Sequence, residues 1–397
     1  MNKVGLKQTN VLDIIKIIRK AGEISKPEIT KQVELTSMTV NNIMRELVMQ
    51  NICLEAGIGG SNGGRKAALY RLNKNYGRLV GQTMTRTEIV TNACDLDFHI
   101  LYSDTVSFDP SDIAGSIELM SSRILKASHS EELRTLPCIG VGISVPGRAD
   151  ENGNIIALPD FPYWTQIPLG GMIKKKTGFQ TYVDNDNNAA ALATQLSGFT
   201  DNAANSIFLS IDDGVGVGIL INGDVFYGAN HHACEIGHTV INFEGPPCGC
   251  GKHGCVEALI GNRYIMSRAV DVIRKKYLRN DSINQTIEQV AGVCDSEKDP
   301  ELYEIFEDVS QNVAITLINL VTSFDTETII INNKWMHFFP ELFNRTSDTV
   351  YRLCPWKNRN TLQISLCRDE TMFTRASCAL ALNAVFKDSD HCVFLSH

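Results

Sequence analysis

The sequence predicts a small helical module ending in a glycine-tipped hairpin, followed by a much larger α/β domain. Three observations carry that reading. Apolar residues recur at helical spacing in the first fifty positions, whereas from about residue 77 short β-like apolar runs alternate with helix-like ones. The 397-residue length suits two or three domains. Charge is divided in the same way. Residues 1–75 hold twelve Lys/Arg and six Asp/Glu, a net of +6, so against −8 for the whole chain the remaining 322 residues carry −14. A basic piece joined to an acidic one is the asymmetry expected when one domain touches phosphate and the other does not.

In the first module, Val11, Leu12, Ile14, Ile15 and Ile18 form one helical face that ends near Ala21-Gly22. Ser25-Lys26-Pro27-Glu28 is a capping box with proline in the first turn, so a second helix begins there. Thr36 caps a third, Ser37 to about Gln50, with Val40, Ile43 and Leu47 facing inward. Its other face carries Ser37, Thr39, Asn41, Asn42 and Arg45, polar and mostly uncharged groups suited to base edges. A glycine-rich tip at 57–64 with Arg65 and Lys66, between two short strands, has the make-up of a wing. Together these elements predict a winged helix-turn-helix over residues 1–75, with duplex DNA as the partner. A three-helix protein-docking module is the alternative.

Beyond a boundary near Asn73–Gly77, residues 76–397 read as one α/β domain. Strand-like runs fall at Ile139–Val145, Ile207–Ile211, Val215–Ile221 and Thr328–Ile331, and helix-like runs at Ile113–Ala127, Ala189–Leu196 and Glu301–Ser323. No apolar run approaches the ~18–20 residues of a membrane span. The first residues lack a secretory signal, so the expected compartment is the cytoplasm.

A reducing cytoplasm leaves the twelve cysteines as thiols, available for metal. Only Cys248, Cys250 and Cys255 are tightly spaced, between glycines at 249, 251 and 254, and His238 precedes them by ten residues. Three sulfurs and one imidazole make the closed tetrahedron of a structural zinc site, one ion per chain. His231, His232, His253 and Cys234 compete for the fourth position. A second cluster, Val183-Asp184-Asn185-Asp186-Asn187-Asn188, ends a strand and opens a helix. It is either a simple turn and cap or a carboxylate–amide set suited to sugar hydroxyls. Glu235 and Glu257 are tethered to the metal loop and could be aimed by it.

Residues 77–397 resemble the ROK group of sugar kinases and sugar-responsive repressors. The resemblance rests on Gly140-Val141-Gly142-Ile143-Ser144-Val145-Pro146-Gly147, Asn185-Asp186, Glu235-Ile236-Gly237-His238 and the Cys248–Glu257 loop. It implies a two-lobed α/β fold of the actin/hexokinase type, with a cleft near 184–188 and a zinc loop over 238–255. With the winged helix in front, the whole chain resembles the repressor branch, which includes xylose-type and N-acetylglucosamine-type regulators. By position, Asn185, Asp186, Glu235, His238 and Glu257 match the family's sugar contacts, and Asp186 matches the general base of its kinases. His238 would then serve twice, one ring nitrogen on zinc and the other toward a sugar hydroxyl. Asp160 stands where the family usually has a sugar-touching asparagine, which alters the hydrogen bonds on offer.

Three departures concern phosphate. Thr83-Met84-Thr85-Arg86-Thr87-Glu88 replaces the family's Asp-x-Gly-Gly-Thr-Lys loop, removing both glycines and the lysine. Asp212-Asp213-Gly214 replaces Gly-Thr-Gly, and Asn332-Asn333 replaces a glycine pair near the adenosine site. The expectation is a zinc-containing repressor, a homodimer or tetramer, that binds operator DNA and a sugar or sugar phosphate and has lost ATP-dependent kinase activity. The alternatives are an active sugar kinase with a DNA-binding head and a regulator controlled by a protein partner.

Overall fold

In the computed structural model of the chain, which describes residues 3–58, 67–129, 136–200, 203–277, 286–369 and 372–387, the three helices of the first module form where apolar spacing puts them. Helix α1 (Lys3–Ala21) buries Val11, Leu12, Ile14, Ile15, Ile17 and Ile18. Strand β1 (Ile24–Ser25) leads into α2 (Lys26–Gln32), where Glu28 accepts from both the amide and the hydroxyl of Ser25, at 3.0 and 2.6 Å. Those bonds hold the Glu28 carboxyl below its usual range. Thr36 Oγ1 accepts from the Thr39 amide at 3.2 Å and starts α3 (Ser37–Met49), which buries Val40, Ile43, Met44 and Leu47. Strands β2 (Cys53–Ile58) and β3 (Ala68–Leu72) pair antiparallel, with β1 added on the far side of β3. The hairpin tip with Arg65 and Lys66 lies outside the described residues.

By contacts the chain divides into two units, Met1–Phe199 with Thr371–His397, and Thr200–Glu370. The helical module belongs to the first. Besides packing on its own hairpin, α1 packs against the last helix, Met372–Lys387. The Arg19 guanidinium lies 4.2 Å over the Phe98 ring, and burial pulls it down to about 10 despite nearby Asp97.

The rest of that unit is a five-stranded sheet. Strands β4 (Arg78–Met84), β5 (Glu88–Cys94) and β6 (Ile100–Ser107) form an antiparallel meander. Helix α4 (Ile113–His129) then leads to β7 (Cys138–Val145), parallel to β4. Strands β8 (Arg148–Ala149), β9 (Ile155–Leu158) and β10 (Phe161–Ile167) make a small separate sheet. Helix α5 (Leu169–Thr177) precedes β11 (Thr181–Asn185), which lies parallel to β7, and α6 (Asp186–Leu196) follows it. Val80, Val141, Ile143, Met120, Ile124 and Trp164 share its core. Helix Met372–Lys387 covers the sheet so closely that a Cβ on Gly81 would sit 2.7 Å from the Cys378 amide nitrogen.

The second unit repeats the plan. Strands β12 (Ser206–Ile211), β13 (Val215–Ile221) and β14 (Asp224–Val225) run antiparallel. Helices α7 (Val256–Ile260), α8 (Asn262–Lys276), α9 (Ile287–Glu297) and α10 (Pro300–Phe324) precede β15 (Thr328–Asn333), which is parallel to β12. After α11 (Lys334–Phe338) and α12 (Pro340–Leu353), β16 (Gln363–Leu366) completes the sheet. Each five-stranded sheet is therefore joined by two parallel and two antiparallel pairings, with one strand, β5 or β13, running against the other four. The strand and helix runs read from the sequence all appear, usually one to three residues longer. Among the described residues no helix is long and apolar enough to cross a membrane.

Candidate functional site

In the first unit the strand-end cluster is built by a helix cap. Asn185 Oδ1 accepts from the amides of Asn187 and Asn188 at 2.9 and 3.2 Å, and its Nδ2 donates to the Gly147 carbonyl at 3.0 Å. Helix α6 therefore starts at Asp186, three residues earlier than the apolar run at Ala189 marks. Asp184 is buried and accepts from the Asn185 amide and from Asn188 Nδ2. Asp186 Oδ1 accepts from both the amide and the side chain of Asn187 at 2.8 Å. Burial, with Asp184 adding repulsion, pushes the half-buried Asp186 carboxyl up to about 6. The orienting role of Asn187 was missed in the sequence, where it read as one more turn residue.

In the second unit, His238, Cys248, Cys250 and Cys255 converge, with ligand atoms all within 4.8 Å of one another. Cys248 Sγ lies 3.6 Å from His238 Nδ1, and Cys250 Sγ lies 3.7 Å from Cys255 Sγ. A tetrahedral ion with Zn–S of about 2.3 Å and Zn–N of about 2.0–2.1 Å needs edges of about 3.6 and 3.8 Å, so the donor set fits one. The loop is shaped by its backbone. Cys248 N–H bonds to the Lys252 carbonyl at 2.8 Å, Val240 bridges Cys255, and Gly254 has φ +63° with no room for a Cβ beside Asn242. Burial pushes the Cys255 thiol up to about 12, whereas a backbone hydrogen bond from Lys252 lowers Cys250. Among the described residues this is the group able to hold a metal; His231, His232, His253 and Cys234 stand outside it.

The carboxylates tethered to this loop have separate settings. Glu257 lies in the first turn of α7, two residues beyond Cys255, and its Oε2 accepts from the Val215 amide at 3.2 Å. Glu235 is exposed one residue before the short turn Ile236–His238, and its carbonyl accepts from the His238 amide.

The two segments in the phosphate-loop positions are occupied by their own hydrogen bonds. Between β4 and β5, Thr85 Oγ1 accepts from the amides of Thr87 and Glu88 at 3.4 and 3.0 Å, turning those donors inward. Arg86 Nε, at the turn's tip, donates to Asp160 Oδ2 at 2.6 Å. Between β12 and β13, Asp212 Oδ1 accepts from Asn262 Nδ2 at 2.6 Å, and Asn262 in turn accepts from Trp335 Nε1 at 2.9 Å. Arg263 lies 3.7 Å from Asp213. Asn333 caps α11 through the Met336 amide, and Asn332 Nδ2 donates to Ser210 Oγ.

On the helical head, Ser37, Asn41, Asn42 and Arg45 are exposed along α3. Thr39 is half-buried, and its hydroxyl sits 2.9 Å from that of Thr36, so it serves the cap. A shallow groove of about 340 Å³ runs between α3 and the hairpin, lined by Asn41, Asn42 and Arg45 on one side and Glu55 and Tyr70 on the other. Lys26 lies 4.9 Å over the Tyr70 ring.

Comparison with known proteins matches this layout. Residues 8–52 match the profile described as winged helix-turn-helix DNA-binding. The xylose repressor of Caldicellulosiruptor bescii is 29% identical over 348 residues, covering 86% of this chain and 87% of that protein. A solved ROK family transcriptional regulator, a homologue of the Escherichia coli MLC protein, superposes with a TM-score of 0.78 at 22% identity over 96% of this chain and 97% of its own. The ROK hexokinase of Thermus thermophilus shares the fold over 78% of this chain and all of its own, with a TM-score of 0.64 at 21% identity. The ROK profile itself runs from residue 80 to residue 365, through both five-stranded sheets, the strand-end cluster and the metal loop, and the chain belongs to the ROK family.

Proposed function

We infer that the protein is a sugar-responsive repressor of carbohydrate genes that acts in the cytoplasm and transfers no phosphoryl group. The observation that carries this reading is the contrast between an intact acceptor side and a closed donor side. Asp186 remains able to accept a hydroxyl proton, and Asn185, Asp160, Glu235, His238 and Glu257 supply further polar groups of the kind that hold sugar hydroxyls. Anchoring a polyphosphate needs backbone donors, a cation and magnesium. Here the Thr87 and Glu88 amides point at Thr85, Arg86 is engaged by Asp160, and Asp212 and Asp213 put carboxylates in the second loop. The named relative and the winged helix support the regulatory side of the reading.

A structural zinc ion in the His238–Cys248–Cys250–Cys255 group would fix the loop that carries Glu235 and Glu257; it supplies rigidity rather than chemistry. The partners in this reading are duplex operator DNA, a sugar effector and a second copy of the chain. Two heads of a dimer on a two-fold operator stand about 34 Å apart or a multiple of it, so a modest shift of one head is enough to weaken binding.

Calorimetry with a panel of free and phosphorylated sugars tests the effector, and Mg-ATP tests the donor side. Sugar binding lost in Glu257→Ala, with no heat from Mg-ATP and weakened operator binding when sugar is added, is the expected outcome. ATP-dependent sugar phosphorylation at ordinary kinase rates, lost in Asp186→Ala, would replace this reading with that of a kinase carrying a DNA-binding head.

A further inference from the structure

Two of the sequence's departures from its family meet in space. Arg86, at the tip of the β4–β5 turn, is bonded to Asp160, which sits 74 residues away in the turn between β9 and β10. Their pairing belongs to the same sheet edge as Asp186. Thr83 of β4 lies opposite Ser144 of β7, and Ser144 lies opposite Asp184 of β11. Strands β4 and β11 are therefore two strand spacings apart, roughly 10 Å. Arg86 leaves the sheet three residues after Thr83, and Asp186 two residues after Asp184. The β9 end of the turn is fastened to the same corner. Asn185 Nδ2 holds the Gly147 carbonyl, and a Cβ on Gly147 would come 2.5 Å from the Ala157 carbonyl oxygen and 2.9 Å from Leu158 Cα.

We propose that the Arg86–Asp160 pair sets the charge selectivity of the effector site, favouring a neutral sugar over its phosphate ester; the proposal rests on the sugar-binding reading above. A sugar phosphate brings close to two negative charges to an edge that already carries Asp160, Asp184 and Asp186, with Glu88 two residues from Arg86. The guanidinium able to receive that phosphate is held by Asp160. A phosphate that took Arg86 for itself would leave the Asp160 carboxylate uncompensated beside it. A neutral sugar meets the opposite situation. The Asp160 carboxylate, oriented by Arg86, keeps lone pairs for hydroxyl protons and gives up no partner. Arg86 and Asp160 are 41% and 39% exposed, so solvent tempers the effect, and the expected selectivity is on the order of tenfold rather than thousandfold.

The test is calorimetry on the full chain with D-xylose, D-glucose and N-acetyl-D-glucosamine, each beside its terminal phosphate ester, and with inorganic phosphate. The wild type should bind a free sugar about tenfold or more tighter than its ester. Asp160→Asn removes the competing charge, keeps the turn and takes away the ion pair that Arg86 makes with Asp160, so the ratio should shift toward the ester by about tenfold. Adding Arg86→Ala to that variant should abolish the gain. Thermal melts within a few degrees of wild type would show that the variants fold. An ester bound as tightly as its sugar by the wild type, or an unchanged ratio in Asp160→Asn, overturns the proposal and leaves the sugar reading standing. Heat from no member of the panel in either form overturns both.

Discussion

Lys16 Nζ donates to Gln195 Oε1 at 2.8 Å, joining the first helix of the DNA-binding head to the last turn of α6, the helix whose first residue is Asp186. Helix α6 is packed by Ala189, Ala190, Ala191, Leu192 and Ala193, all buried, and such a helix moves as a rod rather than bending. On the sugar reading proposed above, a ligand held by Asp186 would lie one helix away from α1. Lys16→Ala should leave sugar affinity within about twofold of wild type while reducing the effect of sugar on operator affinity by roughly fivefold, the worth of one such hydrogen bond. Operator titrations with and without saturating sugar measure this. Unchanged coupling in Lys16→Ala and in Gln195→Ala would remove α6 from the route.

The Asp186 carboxyl, held at about 6 rather than near 3.8, gives two pH dependences of opposite sign. The folded state binds this proton more tightly than the unfolded chain. The group's contribution to stability is therefore fully present below about 3.8 and is lost as pH rises through about 6. Half-burial keeps the loss below the ~3 kcal/mol that the whole shift would carry. Sugar binding runs the other way, because an ionised carboxylate accepts hydroxyl protons better. Affinity should rise about tenfold between pH 5 and pH 7 and then level off, since only about a tenth of the groups are ionised at pH 5. Asp186→Asn should flatten both curves, and melting and calorimetry across that range decide it.

Much of this was legible in the sequence because the signals are local. The cysteine spacing led to the group able to hold a metal, and the plain cap reading of the strand end proved right for Asn185. Short apolar runs located the strands because each is buried on both faces, as at Ile207–Ile211. What escaped depends on residues far apart in the chain. The five apolar positions read on α1 predicted one buried face. Ile17 is buried as well, and the helix serves the head and also the final helix some 350 residues onward. The Arg86–Asp160 pair was visible as two separate departures, and only the hairpin bearing Asp160 makes them one feature.

The metal group should behave as a staple. Protein purified without chelator should carry one zinc per chain by elemental analysis, and stripping it should lower the melting temperature by roughly 5–10 °C. Because the loop ends directly in α7 and Glu257, sugar affinity should fall in parallel. Cys255→Ser, at the buried corner of the group, should reproduce the effect, whereas Cys234→Ser should not. Absence of zinc in such protein, or sugar affinity indifferent to its removal, would separate the loop from the effector site.

On the head, exposure sorts the side chains of α3 by role. Arg45 is exposed on the polar face, and a cation there that neutralises one phosphate contributes to every duplex alike. Arg45→Ala should weaken binding to all sequences and reduce the slope of log affinity against log salt by about 0.9. Asn41 and Asn42 carry no charge and can pair two ways with an adenine edge. Alanine at either should leave the salt slope intact while costing about 1–3 kcal/mol on the preferred operator and little on unrelated DNA. Thr39→Ala should act differently again: its amide keeps the cap bond to Thr36, only an exposed hydroxyl contact is lost, and fold stability should change by about 0.5 kcal/mol or less with sequence preference retained. Fluorescence anisotropy on specific and scrambled duplexes over a salt series resolves the three patterns. An Arg45→Ala slope equal to wild type, together with unaltered preference in both asparagine variants, would show that α3 is not the reading helix and would favour the protein-docking alternative for the head.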